Sequence, residues 1–197
     1  MIKSYRTAQI LAQELLDEAR ESEPQITNDL QTIVQEISAE MVGLDDKFKR
    51  EESLIRKLVD SVGDDFQKLK RKAKSINDVL RYTFVLQFEV YAERFHETIE
   101  RLSELGYWIP ENRIWNAWQT IGESFDKGYR GINITVISSQ KQKFELQFHT
   151  EESFRLKTAT HFLYEESRQK GISEKREAEL IEQRRKAAES LERPQGV

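Results

Sequence analysis

Cysteine is absent from the 197 residues. That excludes disulfides, thiolate metal sites and a cysteine nucleophile, and it suits either the cytosol or an exported chain that must unfold and refold. Glycine is scarce at eight residues, and no Walker loop, dinucleotide fingerprint or serine nucleophile elbow is present. Histidine occurs three times, as His96, His149 and His161, with separations that match no zinc pattern. His96 falls in an ordinary helical stretch and reads as structural; His149 and His161 flank a strand-to-helix turn and suit phosphate contacts better than a metal. Long apolar runs are also missing. No stretch approaches the roughly 20 apolar residues of a membrane helix, and MIKSYRTAQILAQELLDEAR lacks the apolar run of a signal peptide, so no membrane partner is expected.

What is present is charge. Charged residues make up 34% against 38% hydrophobic, the balance of a single domain with long, solvated helices at its ends. The net charge of -4 argues against wholesale coating of nucleic acid, but between Lys47 and Lys74 ten Lys or Arg face five Asp or Glu. That segment could meet an anion.

Apolar spacing predicts two amphipathic helices over residues 4–42, broken near Ser22 to Pro24. Shorter helices are expected at Glu51 to Ser61 and Asp65 to Lys74, and a strand within VLRYTFVLQF, residues 79–88. A helix from Val90 to Leu105 should end at Gly106. Short strands follow near Tyr107 to Ile109 and Arg113 to Trp118, and two alternating runs around Ser138 to Lys141 form a hairpin. Helices from Glu151 to Lys170 and Glu174 to Glu192 close the chain. The order predicts α+β, a mixed sheet of about five strands walled by helices. The expected division is a helical extension over 1–42, a central domain over 43–170 and a charged helix and tail over 171–197.

Four stretches could carry chemistry. In KFKREESLIRK, residues 47–57, Lys49, Ser53 and Lys57 recur at intervals of four with Lys47, Arg50 and Arg56 nearby, which could hold a polyphosphate on one helix stripe. A solvated basic face paired with Glu51 and Glu52 fits the same spacing. Asp78 and Arg81 stand at a strand entrance, where an Asp commonly caps a turn. KGYRGIN, residues 127–133, offers Tyr129 and Arg130 beside a permissive glycine. In FELQFHT, residues 144–150, Phe144, Leu146 and Phe148 alternate with Glu145, Gln147 and His149, so one strand face is oily and the other polar. Glu145 beside Asp78 could share a magnesium ion, a hard cation that keeps water and substrate phosphates as its other ligands.

Together and in this order, these stretches resemble the synthetase domain of the RelA/SpoT family of ATP-dependent nucleotide pyrophosphokinases, and specifically its divergent, toxin-like branch. KFKREESLIRK is similar to the family's Arg-x-Lys-x3-Ser-x3-Lys motif, DVLR to its Asp and Arg at a strand start, GYRGIN to Gly-Tyr-Arg-Ser-Leu-His, ELQFHT to Glu-x-Gln-x-Arg-Thr, and HFLY, residues 161–164, to its His and Tyr. The likeness runs from about residue 43 to 168. It implies a nucleotidyltransferase-type fold and transfer of pyrophosphate from ATP to the 3′-hydroxyl of a purine nucleotide. By the same resemblance Lys47, Lys49, Ser53, Arg56, Lys57 and Arg81 would hold ATP, and Asp78 and Glu145 would bind Mg2+, Glu145 also taking the hydroxyl proton. Tyr129 would stack on the acceptor base, with Lys127, Arg130, Asn133, Gln147, His149 and His161 as further acceptor contacts. Lys47 stands where the pattern has Arg, Asn133 where it has His, and His149 where it has Arg, and these changes bear on the acceptor more than on the chemistry.

The implied acceptor is ADP or ATP ahead of GDP or GTP, giving (p)ppApp or (p)ppGpp. The alternatives are the 3′-terminal adenosine of tRNA, for which Arg184, Arg185 and Lys186 could supply a basic surface, and a catalytically inactive nucleotide-binding module. Nothing matches the family's hydrolase domain, so by analogy the chain would be a growth-inhibiting toxin held by an antitoxin or immunity protein, acting in the cytoplasm of its own or a target cell.

Overall fold

One buried stripe runs the length of α1 (Ile2–Glu36), from Ala8, Ala12, Leu16 and Ala19 to Ile26, Leu30 and Ile33. The computed structural model describes residues 2–60, 65–119 and 128–197. The break expected near Pro24 does not occur, and a single helix continues through it. An interior proline costs about 3 kcal/mol. Burying each large aliphatic side chain beyond it returns about 1.5–3 kcal/mol, and Ile26, Leu30 and Ile33 are all within 1% of full burial. Packing therefore outweighs the lost hydrogen bond.

After α1 come β1 (Glu40–Val42), α2 (Glu51–Val59), α3 (Phe66–Ser75), β2 (Arg81–Val85) and α4 (Tyr91–Glu104). The chain continues through β3 (Ile114–Asn116), β4 (Ile132–Ile137), β5 (Lys143–His149), α5 (Glu151–Ala159), α6 (His161–Ser167) and α7 (Glu174–Ala188). The five strands form one mixed sheet in the order β1-β2-β5-β4-β3, with β2 and β5 parallel and the other neighbours antiparallel. The fold is α+β, as expected, with two exchanges. β1 is too short to show an alternating pattern and exists through its pairing with β2, whereas the stretch at 107–109 makes only a single bridge, Trp108 to Ile137. The helix expected over 151–170 is two, because it stops at Thr160; the hydroxyls of Thr158 and Thr160 donate back to the carbonyls of Phe154 and Leu156, a habit that bends helices.

The sheet has unlike faces. Tyr82, Phe84, Phe144, Leu146 and Phe148 point to one side with Ile132, Ile134 and Val136, all essentially buried. α1 and α4 cover them: Thr27 of α1 meets the Tyr82 hydroxyl at 2.8 Å, and Phe95 of α4 stands edge-on to Phe148 at 5.0 Å. The N-terminal helix is thus continuous with the main core. Arg81, Thr83, Glu145, Gln147, Asn133 and Thr135 belong to the other face.

Candidate active site

The strand register assembles the polar face. In the parallel pair Arg81 stands beside Glu145 and Thr83 beside Gln147, while across the hairpin Thr135 stands beside Glu145 and Asn133 beside Gln147. Trp115 of the edge strand continues the second row beside Asn133. A one-residue slip would send every one of these side chains into the apolar core, so burial of the other face fixes the row. Asn77 donates to the Thr135 hydroxyl at 2.5 Å, which ties the turn before β2 to that row and brings Asp78 to its edge.

Asp78 is the hub of a cationic cluster. Lys49 Nζ reaches one carboxylate oxygen at 2.7 Å and Lys57 Nζ the other at 2.8 Å. Burial pushes the Asp78 carboxyl up, but the two ammonium groups overcome it and hold the pKa down at about 2. Lys49 is itself shifted down, because its burial outweighs the attraction of Asp78, with Arg81 and Lys57 adding repulsion. The stripe geometry predicted from spacing is only partly realised. Lys57 and Ser53 lie on α2, but Lys49 precedes the helix in an extended segment whose backbone pairs with residues 79–81. Lys49 and Lys57 still converge, because that pairing sets Lys49 beside the turn that carries Asp78.

Glu145 is the second centre. Burial raises its carboxyl above the usual range, the negative charge of Asp78 raises it further, and an amide hydrogen bond from Gln147 works the other way. The Gln147 carbonyl accepts from Lys157 Nζ at 2.5 Å. Lys157, in the last turn of α5, was not foreseen. Helical side chains lean toward the N-terminus, and the capping box of Thr150 and Ser153 fixes α5 directly behind β5, so its stem reaches back over the strand. Burial, followed by repulsion from Arg81, lowers its pKa to about 8 despite the attraction of Glu145.

The third cluster is aromatic. The Tyr129 hydroxyl donates to Asn133 Oδ1 and meets His149 Nε2 at 3.0 Å, while His149 Nδ1 meets Ser153 Oγ at 3.0 Å. His149 is fully buried, and burial followed by the nearby charge of Lys157 drives its pKa well down, so the imidazole is neutral. The indole of Trp115 stacks on Tyr129 with centroids 5.1 Å apart and 15° between planes. Arg130 is buried and donates to the Tyr129 carbonyl. Two glycines permit this packing: a Cβ at Gly128, where φ is +72°, would lie 2.3 Å from the Arg184 carbonyl oxygen of α7, and one at Gly131 would lie 2.7 Å from the Phe148 carbonyl oxygen.

Other expected site residues lie apart. Lys47 pairs with Glu23 of α1 at 3.2 Å, away from Lys49 and Lys57. Arg56 is on the exposed side of α2, 4.0 Å from Glu165. His161 is exposed on α6, with Glu165 also at 4.0 Å. Lys127 lies outside the described residues. The basic cluster on α7 is largely neutralised: Arg185 pairs with Glu182 and Glu189, Lys186 stands 3.6 Å from Glu182, and Arg184 lies over the Tyr164 ring. Among the described residues no group of three or more His, Cys, Asp or Glu could cage a metal. Two carboxylates, Asp78 and Glu145, fit the one metal that binds through one or two protein oxygens and completes its shell with water and substrate phosphates. A metal there would meet the Asp78 oxygens that Lys49 and Lys57 reach.

No protein-family model matches this sequence, and no curated protein sequence matches it significantly. Solved structures do. The small alarmone synthetase 2 from Bacillus subtilis superimposes with a TM-score of 0.61 at 16% identity, covering 90% of this chain and 90% of that one. The small alarmone synthetase 1 from Bacillus subtilis bound to its product pppGpp gives 0.61 at 16% identity, over 89% and 90%. The type VI effector Tas1, in complex with its immunity protein, gives 0.55 at 14% identity, over 89% and 93%. The chain has a RelA/SpoT-like synthetase fold, the five-stranded mixed sheet of the small alarmone synthetases, and the polar row through Glu145 lies on that sheet.

Proposed function

We propose that this protein transfers pyrophosphate from ATP to the 3′-hydroxyl of a purine nucleotide, with ADP or ATP preferred over GDP or GTP. The observation that carries the reading is the convergence of Lys49, Lys57 and Arg81 on two electrostatically coupled carboxylates, Asp78 and Glu145, with a neutral aromatic cluster beside them. Highly charged phosphates and a base with a hydroxyl to deprotonate call for those two kinds of surface side by side.

In this reading the acceptor oxygen attacks the β-phosphorus of ATP; a bond forms from O3′ to Pβ, the bond from Pβ to the α,β-bridging oxygen breaks, and AMP leaves. Glu145 takes the hydroxyl proton. Its raised pKa suits a general base working near neutrality better than an ordinary carboxylate would. Lys49 and Lys57 turn from Asp78 to the phosphates and neutralise charge in a loose phosphoryl-type transition state, and Arg81 contributes from β2. Mg2+, held by Asp78 and Glu145, would supply Lewis-acid neutralisation of the same oxygens. The Tyr129–Trp115 pair offers an aromatic platform for the acceptor base. A toxin role and an immunity partner rest on likeness to the Tas1 effector. The paired state of Arg185 and Lys186 gives a tRNA acceptor no support.

The test incubates the protein with Mg2+ and γ-labelled ATP, offering ADP, ATP, GDP, GTP and deacylated tRNA separately beside E145Q. Label entering a new nucleotide, and lost in E145Q, is the expected result; no labelled acceptor in any reaction would reject transfer to these substrates.

A further inference from the structure

Lys157 is a partly buried ammonium with little to neutralise it. Among the described residues its hydrogen bond goes to the neutral Gln147 carbonyl, the Phe154 ring lies 5.6 Å away, and no carboxylate comes within ion-pair distance. Arg81, whose charge repels it, has a buried Nε without a hydrogen-bond partner. Lys49 and Lys57, by contrast, are already matched by Asp78. A partly buried cation served by one amide is poorly matched, and an anion brought to it gains a charge-assisted bond. His149, at the position where the resembling pattern carries an arginine, is sealed between Tyr129 and Ser153 and supplies no charge. Among the described residues, α5 thus supplies a cation on this side of the polar row.

We propose that Lys157 is the specificity-determining contact for the acceptor nucleotide's 5′-phosphate, its ammonium moving from, or sharing, the Gln147 carbonyl to meet that phosphate, with Arg81 alongside. The assignment to the acceptor follows from place: Lys157 holds Gln147, which pairs with the Asn133 that Tyr129 meets, whereas Lys49 and Lys57 occupy the Asp78 side. It rests on the functional reading above for the words donor and acceptor.

The experiment measures equilibrium binding of adenosine, AMP and ADP, and of guanosine, GMP and GDP, by calorimetry, with Mg2+ and α,β-methylene-ATP at the lowest concentration that fills the donor site, its own competition at the acceptor site being measured and subtracted. In the wild type each phosphorylated member should bind more tightly than its nucleoside. K157M should lose on the order of tenfold to a hundredfold of that increment while binding the nucleoside as before, and K157R should restore most of it. A wild type without the increment, a K157M that keeps it, or a K157M weakened equally for nucleoside and nucleotide would overturn the proposal, the last showing a lysine that merely braces Gln147. Should K157M not fold, K157Q serves the same comparison. Because binding is read without turnover, a protein that shows the Lys157-dependent increment yet labels no acceptor refutes the transferase reading alone, and active transfer with an increment indifferent to Lys157 refutes this contact alone.

Discussion

Two lysine environments border the same polar face of the sheet. Lys49 and Lys57 share a carboxylate, Asp78, while Lys157 leans on an amide, Gln147. The first arrangement is balanced: two partly buried ammonium groups and one anion hold one another, and the carboxyl stays ionised to about pH 2. The second is poised, its charge pushed toward neutrality by burial and by Arg81. The difference teaches that a cation's value to a ligand depends on what it already has. A charge with a partner must give it up to bind phosphate, whereas one without a strong partner has less to lose.

The largest effect should come from Glu145, which stands between the two environments. E145Q keeps shape and burial but cannot take a proton, so label transfer should fall on the order of 10²- to 10⁴-fold while the unfolding temperature holds or rises. An active E145Q would remove the general base from the account. Next is Asp78. D78N leaves Lys49 and Lys57 facing an amide, a loss of about 2–3 kcal/mol after allowance for the partial exposure of Lys57, measurable as a lower urea midpoint at unchanged slope. K157M should act in the opposite sense, raising the unfolding temperature by about 2–4 °C at pH 7 because a poorly matched buried charge disappears. Equal destabilisation by both variants would erase the contrast.

The two carboxylates also predict opposite pH slopes. Asp78 has a folded pKa of about 2 against an unfolded value near 3.8, so its stabilisation is present above about pH 4 and is lost as pH falls from about 4 to 2, up to about 2 kcal/mol. Glu145 is shifted up, so the stability it contributes is present below its unfolded pKa and is lost as pH rises through the folded one. Urea titrations of wild type, D78N and E145Q should show the acid limb flattened in D78N, and the loss above pH 4.5 flattened in E145Q. The smallest effect should belong to W115A, which removes one aromatic pair worth about 0.5–1.5 kcal/mol and should raise the acceptor KM several-fold with little change in kcat. An unchanged KM would take Trp115 out of the platform.

Much of this was legible in the residues. Strict alternation in FELQFHT set the two faces of β5, because a strand has only two sides, and the spacing of Asp78 and Arg81 placed both at the mouth of β2. Helical spacing puts Lys49 and Lys57 on one stripe, and both reach Asp78, though through a backbone pairing that this spacing does not encode. Lys157 escaped notice because nothing local distinguishes it; its place comes from a capped turn and the lean of a helical side chain. A lysine two turns after a polar strand face, beyond a Thr-x-x-Ser cap, is the signal that could have found it. The strand around Trp115 was expected, but its stacking on Tyr129 comes from a cross-strand register that local spacing does not give, and the unbroken α1 depended on a core that its proline does not announce.

The central claim is that the β- and γ-phosphates of ATP move together to a hydroxyl, and the most direct measurement is a pair of single-turnover reactions with ATP labelled at the α- or the γ-phosphate. The account predicts γ-label in the acceptor product and α-label in AMP, in equal amounts, with neither formed by E145Q. Alpha-label in the product made from unlabelled ADP, or γ-label released only as free phosphate, would contradict it.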